Sequence, residues 1–321
     1  MTKTFLGFIF VMLAIGQIAM ANRAPHCPKG LPTQPEMLKK LQDLSLESPQ
    51  KNYGVGGLFI HAENAVLIDA YRKLVTYKDT KIRPLNDIDF YSRFKEGSCD
   101  KALCAAQTIF GNEMGIAYLY YAAVYGINLS SLGYDRLKLP DPNYALEFKA
   151  WYTVRPWKNL EEMAPMLKAI VNLPKNIIPM TNTRMLHSGI VNPVKSSILA
   201  NGLITFYEPF DKLRDDEKET ITYHELGHTV GTEGHLDISD EWLEAAGWQV
   251  QGNQVINLRP EEFLSDYAAY KSDCFEDFAE TFMYYRYYPQ VLLEKSPRRY
   301  EYMKKYVYDG LEYLAERACA L

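Results

Sequence analysis

TYHELGHTV, residues 222–230, holds His224, Glu225 and His228 in the spacing H-E-x-x-H. On an α-helix, residues four apart lie one turn above each other on one face, so both imidazoles can reach a single metal ion. Glu225 projects beside that face, where a carboxylate can accept a proton from a metal-bound water. The segment therefore predicts a helix that binds zinc through both histidines and carries a general base. The alternative is two hydrogen-bonded histidines that match the pattern by chance.

The residues around this segment also favour a helix. Asp216 and Glu219 have the spacing of a capping box, and the acidic stretch 215–219 suits a helix N-terminus. Gly231 offers a C-terminal stop. Histidines occupy the face that an amphipathic helix normally fills with aliphatic side chains, which is unusual for packing and natural for a metal site.

Residues 1–21 have the pattern of a secretory signal peptide. Lys3 precedes a mostly apolar run over 5–20, and Ala19-Met20-Ala21 predicts cleavage after Ala21. The run is shorter than the roughly 20 residues that a membrane span needs, and no later stretch of the sequence is a better candidate. We therefore expect a secreted or periplasmic protein without stable membrane insertion. The net charge of −5 gives no reason to expect nucleic acid as a partner.

The five cysteines are compatible with an oxidising compartment, where they can form two disulfides and leave one free thiol. They are Cys27, Cys99, Cys104, Cys274 and Cys319. Cys99 with Cys104 is the easiest local pair, and Cys27 with Cys319 would tie the two ends together, but the sequence leaves the pairing open. No C-x-x-C pair occurs, which disfavours a zinc cluster of cysteines.

The stretch LPDP at 139–142 is the best candidate for a domain boundary. We predict a helix-rich α+β protein, with the signal peptide at 1–21, an N-terminal helical region at 22–142 and a zincin-like catalytic domain with a small sheet at 143–321. The apolar spacing predicts helices at 37–46, 62–77, 101–125 and 160–171, and a strand within 202–210. Residues 203–207 are an ordinary sheet strand or an edge strand that pairs with extended substrate.

A catalytic zinc site typically has a third protein ligand and an open position for water. His235 is one candidate, but the longer pattern H-E-x-x-H-x-x-G-x-x-H would need its histidine at Gly234. Glu276 is the stronger candidate. It lies in DCFEDFAETF, residues 273–282, where Asp273 and Glu276 form a second capping box and the apolar residues recur at helical spacing.

Glu276 and Glu280 lie one turn apart along the border of that apolar stripe. Carboxylates in such a place are partly desolvated, which implies a positive partner, and zinc with its histidines would supply one. The alternative, a solvated acidic edge, fits Asp277 better than it fits Glu276 or Glu280.

HELGH followed by EDFAETF resembles the gluzincin metallopeptidases, and within them the branch of anthrax lethal factor and the Pro-Pro endopeptidases. That branch has H-E-x-G-H, a segment with Ser and Tyr, and E-x-F-A-E-x-F at a similar separation. The resemblance is confined to residues 223–282 and is specific in the two predicted helices only. It implies that His224, His228 and Glu276 bind zinc, that Glu225 is general base and then acid, and that Glu280 orients a histidine.

The resemblance also implies a tyrosine that stabilises the oxyanion, usually seven residues before the glutamate ligand. Ala269 occupies that position here. Tyr267 lies in the segment SDYA, 265–268, which resembles the family motif but is nine residues upstream of Glu276, whereas Tyr270 is six upstream. We take Tyr267 as the oxyanion tyrosine and Tyr270 as its rival, and a purely structural tyrosine is the alternative for each.

These residues together predict a zinc-dependent endopeptidase that hydrolyses peptide bonds with a zinc-activated water, using Glu225 as base. The alternative is a secreted, catalytically inactive zinc-binding protein or toxin component of the same fold. Glu225 disfavours that alternative, because a structural zinc needs no neighbouring base. The expected partner is a protein or peptide substrate, and we expect a monomer.

Overall fold

A computed structural model describes residues 30–47, 50–55, 58–75, 99–131, 154–181, 183–188, 195–199, 202–252 and 254–314. The chain forms two compact units, Gly30–Val171 with Ile178–Lys218 and Asn172–Ile177 with Glu219–Leu321. We call the first the sheet unit and the second the histidine unit. The described structure is rich in helix and has a small sheet, as an α+β class requires. The predicted signal peptide and the predicted boundary at 139–142 lie outside the described residues.

The sheet unit contains six described helices. They are α1 Gln34–Ser45, α2 Ala65–Val75, α3 Ala102–Phe110, α4 Asn112–Val124, α5 Leu160–Val171 and α6 Glu208–Asp211. The prediction of a single helix over 101–125 is wrong in one respect, because the structure has two helices there. Gly111 separates them with a φ of 87°, a left-handed value that favours glycine. The helices pack closely at Gly115, where an added Cβ would stand 2.6 Å from the Ala106 backbone.

Two groups of strands accompany these helices. β1 Gln50–Val55 and β2 Leu58–Asn64 form an antiparallel pair, so the region predicted as helical also contains strand. The main sheet consists of β3 Ile127–Asn128, β4 Val154–Arg155, β5 Thr183–Ser188, β6 Ser196–Leu199 and β7 Leu203–Phe206. Its order is β3-β5-β7-β6, with β4 also pairing β5. β5 runs parallel to β3 and β7, and β6 runs antiparallel to β7.

Of the two interpretations of residues 203–207, the ordinary sheet strand is confirmed and the edge strand is wrong. β7 pairs with β5 on one side and with β6 on the other, so its backbone donors and acceptors are already engaged within the sheet. The strand is also shorter than the predicted run of 202–210. Pro209 near the start of α6 favours a helical turn there, because its fixed φ suits the first turn of a helix.

The histidine unit is built from helices and one hairpin. Its α-helices and strands are α7 Asp215–Gly234, α8 Asp240–Ala246, β8 Trp248–Gln251, β9 Gln254–Asn257, α9 Asp266–Lys271, α10 Cys274–Tyr287, α11 Pro289–Lys295 and α12 Pro297–Tyr302. A 3-10 helix at Pro260–Glu262 and a π-helix at Met303–Val307 complete the unit's described helices. The first residues of α7 belong to the sheet unit, and Glu219 begins the part that belongs to the histidine unit. Across the described residues of both units, no helix combines the length and apolarity that crossing a membrane requires.

An aromatic core joins α7 to α10. Tyr223 of α7 stacks on Phe282 of α10, with ring centroids 4.7 Å apart. Gly227 brings the two helices into close approach, since a Cβ at that position would lie 3.1 Å from Ala279 Cα. The two helices that carry the predicted metal ligands, α7 and α10, are therefore packed directly on each other.

The ends of α7 differ from the sequence prediction. The helix already begins at Asp215, so Asp216 lies inside its first turn, and the buried Glu219 accepts a hydrogen bond from Tyr287 at 2.9 Å instead of completing a capping box. Gly231 does not stop the helix. Helix α7 continues to Gly234 and closes with a hydrogen bond from Leu236 N–H to the Gly231 carbonyl.

The cysteine pairing is described only in part. Cys99 and Cys104 form a disulfide, which confirms the local pair, and Cys274 is a buried free thiol. Cys27 and Cys319 lie outside the described residues, so their pairing stays a prediction.

Candidate metal centre

His224, His228 and Glu276 converge in the histidine unit. Nε2 of each histidine lies 3.3 Å from Oε2 of Glu276. One ligand atom from each of the three residues lies within 4.8 Å of the others, an arrangement that can hold a metal ion. The structure thus brings together the three residues that the sequence predicts as ligands.

The local structure of two helices sets this geometry. His224 and His228 lie one turn apart on α7, with ring centroids 4.9 Å apart. Glu276 is in the first turn of α10, where Asp273 caps the helix by accepting hydrogen bonds from the N–H groups of Phe275 and Glu276. The Glu276 carboxylate turns to the histidines and does not complete the predicted capping box with Asp273.

The donor set fits a cation such as zinc. Glu276 Oε2 is buried, and within the described part of the chain no donor meets it with hydrogen-bond geometry. A buried carboxylate oxygen without a donor is unfavourable, and a cation between it and the two Nε2 atoms would satisfy it. Two imidazole nitrogens with one carboxylate oxygen are ligands that Zn2+ prefers in catalytic sites.

We call His224, His228 and Glu276 the ligand group. Charged neighbours shift the pKa values of two of its members, His224 and Glu276. Burial lowers the pKa of His224, but Glu276, Glu280 and Glu225 outweigh that effect and raise the pKa to about 9. Burial raises the pKa of the Glu276 carboxyl, but its contacts with His224 and His228 reverse that effect and hold the pKa well below its usual range. A proton and a metal ion would therefore compete for the same imidazole nitrogens.

Two further carboxylates, those of Glu280 and Glu225, influence His224. Glu280 Oε1 lies 3.7 Å from His224 Nδ1, the ring nitrogen that does not face Glu276, so Glu280 can orient the imidazole. Burial is the main cause of a raised pKa at Glu280, although the nearby His224 opposes the shift. Glu225 is buried next to His224 along α7, and its charge helps to raise the pKa of His224.

Tyr267 is the tyrosine beside the ligand group. Its hydroxyl donates a hydrogen bond to Glu276 Oε1 at 3.1 Å, and its ring centroid lies 6.1 Å from that of His224. Burial and then the negative charge of Glu276 raise the pKa of Tyr267 well above its usual range, so the hydroxyl keeps its proton. The rival Tyr270 lies at the surface with 73% of its area exposed.

Two other sequence candidates lie elsewhere. His235 follows the end of α7 with a φ of 52°, is exposed and does not join the ligand group. The solvated position expected for Asp277 is wrong, because that carboxylate is 0% exposed. Asp277 accepts hydrogen bonds from Arg299 Nη2 at 2.8 Å and from Trp248 Nε1 at 2.9 Å. These partners lie on other elements, so the helical pattern alone could not reveal them.

Lys271 is a further residue beside the ligand group, and no feature of the sequence points to it. Its Nζ lies 3.6 Å from Glu276 Oε1 and 5.5 Å from the centroid of the Tyr267 ring. A lysine five residues before a glutamate has no special meaning in a sequence. The proximity arises because Ser272, with a φ of 47°, reverses the chain between α9 and α10.

Comparisons with known proteins gave no match, whether with family models, curated proteins or solved structures. The similarity of HELGH and EDFAETF to the gluzincins therefore stays a prediction from motifs, and the function is argued from those motifs and from the site.

Proposed function

We propose that the chain is a zinc-dependent metallopeptidase in which His224, His228 and Glu276 bind Zn2+ and Glu225 is the general base. The convergence of the three ligand atoms within 4.8 Å carries the proposal. Within the described residues that group has three members, whereas structural zinc sites usually have four protein ligands. A three-ligand site would leave a position for water, and Glu225, the neighbour of His224 on α7, would act on that water as a base.

The chain's own residues account for the proton movements of hydrolysis. When bound, zinc would act as a Lewis acid on water and on the substrate carbonyl. Glu225 takes a proton from the water as the water oxygen bonds to the carbonyl carbon. Glu225 then returns that proton to the amine nitrogen as the C–N bond breaks. Tyr267, which keeps its proton, donates a hydrogen bond to the carbonyl oxygen as negative charge develops there.

We infer a gluzincin type of site in a zincin-like fold, which acts as a monomeric endopeptidase on peptides or proteins after export. The motifs HELGH and EDFAETF support the type of site, and the pattern of residues 1–21 supports export.

Zinc content tests the ligand set. We would measure zinc per chain by elemental analysis on purified wild type, Glu276→Ala and His235→Ala. We expect one zinc in the wild type and in His235→Ala, and a marked loss in Glu276→Ala, because only Glu276 belongs to the ligand group. A wild type that takes up no zinc after metal is offered would overturn the proposal, as would zinc loss confined to His235→Ala.

Glu225→Gln then tests the reaction. The amide keeps the size of the side chain but cannot accept the proton, so we expect zinc to stay bound while cleavage of a peptide library is lost. A variant that cleaves every wild-type substrate at the wild-type rate would refute Glu225 as the base. A wild type that binds zinc and cleaves no peptide or protein would support the inactive zinc-binding alternative.

A further inference from the structure

We propose that Lys271 is a positioning residue that holds Glu276 Oε1 and so allows the Tyr267 hydroxyl to move from Glu276 to the substrate carbonyl oxygen. This inference rests on the proposed function. It assigns a role to a cation that neither the motif nor the resemblance includes.

The two oxygens of the Glu276 carboxylate have different partners. Oε2 faces the Nε2 atoms of both histidines at 3.3 Å. Oε1 faces the other way, with the Tyr267 hydroxyl at 3.1 Å and Lys271 Nζ at 3.6 Å. The partners of Oε1 therefore hold Oε2 toward the two histidines.

Tyr267 cannot donate its hydroxyl proton to Glu276 and to the substrate at the same time. A phenol has one O–H proton, and here that proton is donated to Oε1. When Tyr267 turns to a developing oxyanion, Oε1 loses its hydrogen bond in a partly buried place, which is unfavourable. A lysine ammonium has three donors on a flexible stem, so Lys271 can close the remaining distance and replace the hydroxyl.

The connection between α9 and α10 builds this arrangement into the chain. Lys271 is the last residue of α9, and Ser272 caps that helix with a hydrogen bond from its N–H to the Ala268 carbonyl at 2.9 Å. Asp273 then caps α10, so that Lys271 and Glu276 face each other across a very short link. The Lys271 side chain is 43% exposed, so it has room to move the short distance to Glu276 Oε1.

A kinetic test uses Lys271→Met with Lys271→Arg as the charge-retaining variant. Lys295→Met is the matched control, because Lys295 is also the exposed last residue of a short helix of the histidine unit. We expect Lys271→Met to lower kcat about tenfold with little change in KM, a size typical of residues that support a metal ligand. Lys271→Arg should restore most of kcat, and Lys295→Met should match the wild type.

Combination with Tyr267→Phe separates the proposed role from a general structural one. In the Tyr267→Phe background no hydroxyl has to be released, so Lys271→Met should lower kcat much less than it does in the wild type. Zinc affinity, measured by chelator competition without substrate, should show the opposite pattern. Each single variant keeps near wild-type affinity, and the double variant loses about tenfold because Oε1 then has neither partner.

Two results would overturn the role of Lys271 while leaving the proposed function intact. One is a Lys271→Met enzyme with wild-type kcat, and the other is an equal loss of kcat with and without the Tyr267 hydroxyl. A wild type that fails to bind zinc or to hydrolyse peptides would overturn both this inference and the proposed function.

Discussion

Asp237 lies so close to Gly231 that a Cβ added to the glycine would stand 2.8 Å from Asp237 Oδ2. Gly231 is one turn beyond His228 on α7, and the buried Asp237 is close enough for its charge to interact with His228. Burial raises the pKa of Asp237, and the charge of His228 opposes that shift. The glycine thus makes room for a carboxylate near the second histidine and does not terminate the helix.

Gly231→Ala should therefore destabilise the protein. Alanine in a helix interior is ordinarily about 1 kcal/mol more favourable than glycine. Here the new methyl would collide with Asp237, and overpacking of this kind costs about 1–3 kcal/mol. Urea unfolding measures the change, and adding Asp237→Gly to the variant should recover part of it. A gain in stability would show that the approach of Asp237 is not tight.

Tyr267→Phe should lower kcat by about a hundredfold or more, the usual cost of losing one oxyanion donor. Zinc content should stay at the wild-type level, because Lys271 still contacts Glu276 Oε1. Tyr270→Phe is the matched control, since its surface hydroxyl should be dispensable. Comparison of the two variants on one peptide substrate decides between the tyrosines, and a larger loss in Tyr270→Phe would reverse the assignment.

Arg299→Met should lower the free energy of unfolding by about 3–5 kcal/mol, the usual cost of removing one partner of a buried ion pair. Arg299 and Asp277 both have fully buried side chains, so the remaining carboxylate would have no way to reach water. Arg298→Met is the control, because Arg298 is the neighbouring residue and its side chain is exposed. Similar denaturation midpoints for the two variants would contradict the prediction.

The stability of the sheet unit should depend on pH through His187. That imidazole is buried, with Nε2 2.7 Å from Asp211 Oδ1. Burial lowers its pKa in the folded protein, although Asp211 opposes the shift. The unfolded chain therefore binds the proton more readily, and the stability that neutral His187 contributes is complete above about pH 6.5 and is lost as the pH falls below it.

His187→Gln should remove this dependence. Between about pH 7.5 and 5.5 we expect the urea midpoint of the variant to change less than that of the wild type, because glutamine does not titrate in that range. His235→Gln, which alters an exposed histidine, should keep the wild-type slope. Equal slopes for wild type and His187→Gln would mean that other groups carry the pH dependence.

The ligand group could be predicted because each part has a local signature. His224 and His228 follow the period of one helix, and Glu276 follows an Asp273 cap in a helix with a clear apolar stripe. The geometry needed to join them, the packing of α7 on α10, is the one long-range step. The patterns of α7 and α10 predict that each helix buries one face. Only the structure shows that these two faces pack on each other.

The features that could not be predicted depend on contacts between distant segments. Asp277 is at the edge of its helical stripe and would be solvated but for Arg299 on α12. Lys271 is next to Glu276 only because Ser272 adopts a left-handed conformation, which its residue type does not favour. The position of β7 inside the sheet likewise depends on strand order, which hydrophobic patterning does not encode.

Gly227 has a consequence for the geometry of the ligand atoms. Any side chain at this position would place its Cβ 3.1 Å from Ala279 Cα and push α10 away from α7. His224 and His228 lie on one of these helices and Glu276 lies on the other, so the distance between their ligand atoms depends on how closely the two backbones approach. A residue without a side chain, which can bind nothing itself, therefore sets the size of the space between the three residues that can.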